Sequence, residues 1–183
     1  MIELRDDIVK LREFRETDKI TLTSLCNNKK IHDNLRDMLP FPYLETDAEY
    51  FINLCQNENP KANLAIEFKG EFAGVIGLGL QTDVYKISAE IGYWLGEPYW
   101  GKGIATHAVG LMVNYGFSQL GLVRLFSSVF DYNKASLRVM EKAGFQLEGI
   151  FRKAVLKNGN LCDEYRFAKL NTSLIQKLDS SIK

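Results

Sequence analysis

The stretch Glu97-Pro98-Tyr99-Trp100-Gly101-Lys102-Gly103-Ile104-Ala105-Thr106 sits between a strand-like run and a helix-like run. Gly101 and Gly103 let the backbone approach a ligand with no Cβ in the way. Successive N–H groups at a helix start form an anion cradle, and the helix dipole favours negative charge there. Lys102 adds a positive charge. The chemistry this suggests is binding of a phosphate or pyrophosphate; the plainer alternative is a helix entry that uses glycine only to turn. A P-loop needs G-x-x-x-x-G-K-[ST], and the sequence has none here. A dinucleotide fingerprint wants Gly or Ala at its sixth position and a ribose-binding acid downstream. Thr106 fills the sixth position, and the next strand opens Val123-Arg124-Leu125. Triphosphates and dinucleotides are therefore disfavoured, and coenzyme A, with its pyrophosphate and 3′-phosphate, remains.

The surrounding elements must position this turn. Ile8–Phe14 reads as a strand, Thr17-Asp18 as a cap ahead of a helix over Ile20–Leu25, and polar Asn27–Leu39 as helical up to Pro40-Phe41-Pro42. Thr46-Asp47-Ala48-Glu49 reads as a capping box before an apolar stripe of Tyr50, Phe51 and Leu54. Three strands follow, Leu64–Lys69, Phe72–Leu80 and Ile87–Leu95, as an antiparallel meander. Ala105–Phe117 has helical spacing, Val123–Phe130 is a strand, and Asn133–Ala143 is a short helix closed by Gly144. Phe145–Leu156 and Leu161–Leu170 flank an Asn158-Gly159 hairpin turn, and Asn171–Lys183 is a frayed helix. The order predicts an α+β class: one mixed, mostly antiparallel sheet of about seven strands with flanking helices.

The chain has 183 residues, a length that suits a single domain over 1–183 with a core large enough to need no disulfides. No apolar run approaches the roughly 20 residues of a membrane span, and the charged start Met1–Asp7 lacks the apolar segment of a signal peptide. Cys26, Cys55 and Cys162 form no CxxC pair, and with only two histidines they give no zinc site. They read as reduced thiols in a cytoplasmic protein. Zero net charge argues against nucleic acid and membrane partners. The charge is uneven: 11 Lys+Arg against 17 Asp+Glu through residue 99, and 12 against 6 from residue 100. The acidic first part suits a cationic partner, unless both parts are merely solvated faces.

Two segments carry a resemblance. Trp100-Gly101-Lys102-Gly103-Ile104-Ala105 resembles the Q/R-x-x-G-x-G/A motif of the GCN5-related N-acetyltransferase (GNAT) superfamily, with Trp in place of Gln/Arg. Asn133-Lys134-Ala135-Ser136-Leu137-Arg138-Val139-Met140-Glu141-Lys142-Ala143-Gly144-Phe145 is similar to its N-x-x-[AS]-x-x-[hydrophobic]-x-E-K-x-G-F segment. With Ala89–Leu95, these resemble the branch that contains ribosomal-protein-alanine N-acetyltransferases and some polyamine acetyltransferases. The order of elements agrees over nearly the whole chain.

The resemblance implies acetyl-CoA as co-substrate. Its pyrophosphate would lie on the amides of Trp100, Gly101, Lys102, Gly103, Ile104, Ala105 and Thr106. Its pantetheine would pair with Tyr93, Trp94 and Leu95, entering a splay between strands 4 and 5, the runs 87–95 and 123–130. Asn133 would bond near the thioester, and a homodimer is expected.

Attack by an amine requires a base, an oxyanion donor and an acid for the leaving thiolate. The base chosen is Glu90, through water, on the strand face it shares with Gly92 and Trp94. The oxyanion donor would be a backbone N–H near Trp94 or Leu95. Many relatives use a Tyr as acid four positions after the Ser/Ala; here that position is Met140, which cannot donate, and Ser136 is the available hydroxyl. Its alternative role is support of the helix start. Asp163 and Glu164 are reserves for gripping a cation, His107 reads as solvated, and Phe41, Tyr43 and Tyr50 are expected to shape the acceptor pocket. The first acceptor expected is a protein α-amino group, as in the ribosomal-protein branch, and the second is a small amine such as a polyamine, amino sugar, antibiotic or aminoacyl derivative; a rival of another class is a non-catalytic acyl-CoA-binding module.

Overall fold

The computed structural model describes residues 2–181. One sheet of eight strands runs through it in the order β1-β2-β3-β4-β5-β6-β8-β7. The strands are β1 Glu3–Arg5, β2 Lys10–Arg12, β3 Asn63–Phe68, β4 Glu71–Leu80, β5 Ser88–Leu95, β6 Arg124–Phe130, β7 Gln146–Lys157 and β8 Asn160–Leu170. The helices are α1 Lys19–Cys26, α2 Lys29–His32, α3 Glu45–Asn57, α4 Ile104–Ser118, α5 Lys134–Lys142 and α6 Thr172–Ser181. Every neighbouring pair is antiparallel except β5 and β6.

The mixed sheet with flanking helices is the expected α+β class, with one strand more than the seven anticipated. The extra strand is β1. It is three residues long, too short to show a period, and it hairpins onto β2 through Asp6, whose carboxylate accepts the N–H groups of Ile8 and Val9 (2.8 and 2.9 Å). The strand expected over residues 8–14 shrinks to β2 accordingly.

Alternation along the strands builds two cores. Leu11, Leu64, Ile66, Ile76, Leu78, Ile91 and Leu125 point to the face covered by α4, which contributes Ile104, Ala108, Val109 and Met112. Their neighbours Ala65, Phe72 and Val75 point to the face covered by α1 and α3 with Leu22, Cys26, Ala48 and Ile52. Gly116 lets α4 lie close to the sheet: a Cβ there would stand 3.3 Å from Leu78 and 3.5 Å from Leu125.

Three local expectations are corrected. Residues 27–39 are helical only over α2; from Asp33 to Leu44 the chain is an irregular strap whose polar groups bond outward to distant elements. Helix α3 is capped two residues before the expected capping box, because Asp47 rather than Glu49 reaches back, its carboxylate accepting the Leu44 N–H at 2.8 Å. The buried stripe is Ala48, Ile52 and Cys55, with Phe51 of the expected stripe packed beside it and Tyr50, 71% exposed, and Leu54 facing out. The Asn158-Gly159 turn forms as predicted, with φ of 50° and 76°. The final helix is α6; Ile182 and Lys183, the end of the expected tail, lie outside the described residues.

Candidate active site

Strands β5 and β6 pair in parallel for only three rungs, Ser88 with Arg124, Ala89 with Leu125 and Glu90 with Phe126. Beyond Glu90 they part, which is the splay expected between strands 4 and 5. Backbone parity says what this opening exposes. The Gly96 N–H and the Ser88 carbonyl bond to the β4 side, whereas the Ile87 carbonyl accepts from Val123 on the β6 side. Alternation therefore turns the odd residues Tyr93 and Leu95 toward the opening, and Trp94 toward β4. Of the two oxyanion donors considered, Leu95 N–H faces the gap and Trp94 N–H faces away. The Leu95 carbonyl is already taken by the Trp100 indole N–H at 2.8 Å.

Two cavities of about 390 Å³ each meet at this gap. The first lies on the α1/α3 side and is lined by Tyr43, Glu90, Gly92, Trp94, Ser128 and Glu164, among others. Its floor is open at Gly92, where a Cβ would find nothing within 4 Å. The second runs over Trp100, Gly101, Lys102, Gly103, Ile104, Ala105 and Thr106 to α5. Tyr93, Trp94, Asn133 and Ser136 line both.

In the second cavity Gly101 and Gly103 stand at φ of 74° and 78°, a conformation that suits glycine alone without strain. Trp100 N–H donates to Glu97 O at 3.2 Å, and Thr106 N–H to Gly103 O at 3.0 Å. Both ends of the expected amide run are thus engaged, and the amides of Gly101 to Ala105 lie between them, ahead of the first helical bond. The Lys102 ammonium folds back onto the Pro98 carbonyl (2.8 Å) and over the Tyr99 ring, 5.8 Å from its centroid. A run of amides at a 15-residue helix start fits a pyrophosphate without help from that side chain.

Ser136 stands where the cavities join. Its N–H donates to Asn133 Oδ1 at 3.1 Å, so Asn133 caps α5. Its hydroxyl is 2.9 Å from the Tyr93 hydroxyl instead of bonding back into the helix. Burial pushes the Tyr93 phenol up to about 12, against the opposing pull of the Ser136 hydrogen bond. Met140, four residues on, is wholly buried in the core. The Tyr93 hydroxyl as partner to Ser136 is a feature sequence reasoning missed. Its only trace was a tyrosine among aliphatic residues on the inward face of β5.

Glu90 is on the other side of the strand, 23% exposed, and ion-paired with Arg36 from the strap. Arg36 left no sequence signal, being 54 residues away. Glu164 lines the first cavity and accepts from Arg166 at 2.6 Å. Asp163 is committed elsewhere: it accepts the Lys153 N–H at 2.9 Å and pairs with the Lys153 ammonium at 3.2 Å, and these bonds hold its carboxyl below the usual range. His107 pairs with Asp6 at 2.7 Å on the surface. Tyr43 is buried in the cavity wall, Phe41 lies against His32 with ring centroids 5.0 Å apart, and Tyr50 lies away from both cavities.

Residues 9–146 match a known family model, described as "Acetyltransferase (GNAT) domain". The chain belongs to the GNAT acetyltransferase family. A probable N-acetyltransferase of Bacillus subtilis, YjcK, is 49% identical over 84 residues, 46% of each chain, so the chain spans about half the length of that relative. The spermidine N(1)-acetyltransferase of Escherichia coli is 29% identical over 157 residues, 82% of this chain and 80% of that one. Among solved structures, the microcin C7 self-immunity acetyltransferase MccE, in complex with acetyl-CoA and AMP, is 31% identical with a TM-score of 0.76, covering 90% of this chain and 93% of that chain. The fold, though not more, is also that of two ribosomal-protein acetyltransferases at 21% and 20% identity, with TM-scores of 0.81 and 0.77, covering 92% and 93% of this chain and 98% and 97% of theirs. Among the described residues no cluster could hold a metal ion, and no helix is long and apolar enough to cross a membrane.

Proposed function

We propose that this chain transfers an acetyl group from acetyl-CoA to a primary amine. The observation that carries the reading is the meeting of two cavities at Tyr93, Trp94, Asn133 and Ser136, across strands that have parted. When bound, acetyl-CoA supplies an activated acyl group as a thioester. The amides of Gly101 to Ala105 hold its pyrophosphate, and the backbone of Tyr93 pairs with its pantetheine arm, which leaves the Leu95 N–H for the thioester carbonyl. Asn133, with Oδ1 committed to the helix cap, offers its Nδ2 end near the thioester.

The remaining chemistry is the chain's own. Glu90 takes a proton from the amine through water. The Leu95 N–H donates to the carbonyl oxygen as charge develops there. Ser136 gives a proton toward the departing sulfur, and Tyr93, kept protonated by burial, donates to Ser136 in turn. Tyr93 is on this account a positioning residue for Ser136.

The acceptor we favour is a small cationic amine rather than a protein α-amino group. The first cavity holds two carboxylates, Glu90 and Glu164, and the relative named for spermidine matches over most of both chains. A protein N-terminus is the second reading, favoured by the likeness of fold to ribosomal-protein acetyltransferases. We place the protein in the cytoplasm, as one domain and a homodimer; three free, buried cysteines support the first point.

The test is thiol release from acetyl-CoA with spermidine, an N-terminal alanine peptide and an aminoglycoside, beside calorimetry of coenzyme A binding. Turnover with spermidine and none with the peptide is expected. Turnover with the peptide alone reverses the choice of acceptor, and binding without turnover on any amine reduces the chain to a binding module. Gly103→Val, which forces a branched residue to a φ of 78°, is expected to weaken coenzyme A binding about 100-fold.

A further inference from the structure

Each carboxylate in the first cavity has an arginine in attendance, and the two arginines are held differently. Arg166 reaches Glu164 from two residues along the same strand. Its guanidinium also lies over the Phe151 ring, 4.5 Å from the centroid, and 5.9 Å from that of Phe126. Strand and rings together fix it.

Arg36 comes from the strap. Its side chain is 57% exposed against 23% for Glu90, and nearby Met38 is 85% exposed. A pair this open to water adds little stability. The strap itself is moored at other points. Asp33 accepts from Asn158 at 2.8 Å through its carboxylate and from the Tyr132 hydroxyl through its carbonyl, and Asp37 pairs with the buried Lys157. Arg36 can therefore release Glu90 while the strap stays in place.

We propose that Arg36 is a resident counter-ion at Glu90 which the acceptor's cationic group must displace, so that it selects for acceptors charged enough to compete. Exchange of one cation for another leaves Glu90 compensated throughout, whereas a neutral acceptor would have to break the pair for nothing in return. Two further groups await the incoming amine: Asn34 Oδ1 and Ser128 Oγ line the same cavity, buried and with no hydrogen-bond partner among the described residues. The inference rests on Glu90 facing the acceptor, as in the proposed function.

The test is steady-state acetylation of spermidine by the wild type, Arg36→Gln, Arg36→Lys and Glu90→Gln, with coenzyme A affinity measured by calorimetry. Arg36→Gln is expected to lower the KM for spermidine about fivefold, the most such an exposed pair can hold back. Its kcat and coenzyme A affinity should stay within about twofold, and Arg36→Lys should resemble the wild type. A raised KM in Arg36→Gln overturns the proposal, since Arg36 would then be gripping the acceptor, and so does an unchanged KM. If the Arg36 variants are silent while Glu90→Gln loses kcat, only this inference falls. If Glu90→Gln is silent as well, the assignment of Glu90 falls with it.

Discussion

Of the arginine–glutamate pairs in this molecule, Arg12–Glu67 and Arg36–Glu90 have opposite characters. Arg12 on β2 gives both terminal nitrogens to Asp18 at 2.7 and 2.8 Å and its Nε to Glu67 of β3 at 2.6 Å. All three side chains are under a tenth exposed, and Lys10 closes the group on Glu67 at 2.6 Å. Every donor is aimed, so the cluster locks the start of the first helix to the sheet. Arg36 and Glu90 make a single contact in the open. The same two residue types thus serve as a rivet in one place and as a latch in the other. Burial and the number of hydrogen bonds make the difference.

Four experiments can break or sharpen that contrast. Arg12→Met should have the largest effect, since it strips buried Asp18 of its ion partner and leaves buried Glu67 to Lys10 and a longer contact with Arg15; a loss of about 3–5 kcal/mol is expected, lowering Tm by about 10 °C in a thermal melt. A melt unchanged by this substitution would dissolve the distinction. Next, on the proposed mechanism, Ser136→Ala should cut kcat about 100-fold with coenzyme A affinity and Tm preserved. Tyr93→Phe, in the same assay, should lower kcat less, by about tenfold, with the same Tm.

The third test uses acid. Burial favours the neutral form of Glu67, but the hydrogen bonds from Lys10 and Arg12 outweigh it and hold the carboxyl below 4.5. A depressed pKa gives stability that is complete above the unfolded value and is lost as pH falls through the folded one. Tm should therefore hold steady from about pH 7 down to about 4.5 and fall below it, and the Arg12→Met protein should show a shallower fall. The smallest effect belongs to Arg36→Gln, with a Tm within about 2 °C of the wild type. A larger drop would make Arg36 a second rivet.

Much of this was legible from local pattern. The meander, α4, α5 and the Asn158-Gly159 hairpin announce themselves through period and turn chemistry, and Gly101 and Gly103 through the close approach that a backbone without Cβ allows a ligand. Glu90 and Ser136 stood out because each is odd for its place: a carboxylate inside a strand, and a lone hydroxyl in a segment whose acid position holds Met140. What escaped was long-range. The strap of residues 33–44 has helix-like polarity, but Asp33, Arg36 and Asp37 find partners from 54 to 125 residues away. Strand β1 was too short to show alternation. The Tyr93 hydroxyl needed the third dimension, since only the fold brings β5 to the start of α5.

The indole of Trp100 on the Leu95 carbonyl sets a ruler at the mouth of the splay. With that oxygen spoken for, an extended guest finds the Tyr93 rung and the Leu95 N–H at this end of the strand. A slip of one residue would meet groups that already belong to β4. The guest's length and alignment are thereby dictated by a side chain it need never touch. Hydrogen–deuterium exchange at those two amides should slow on occupancy, while the flanking Trp94 amide, already in its ladder, serves as the internal clock.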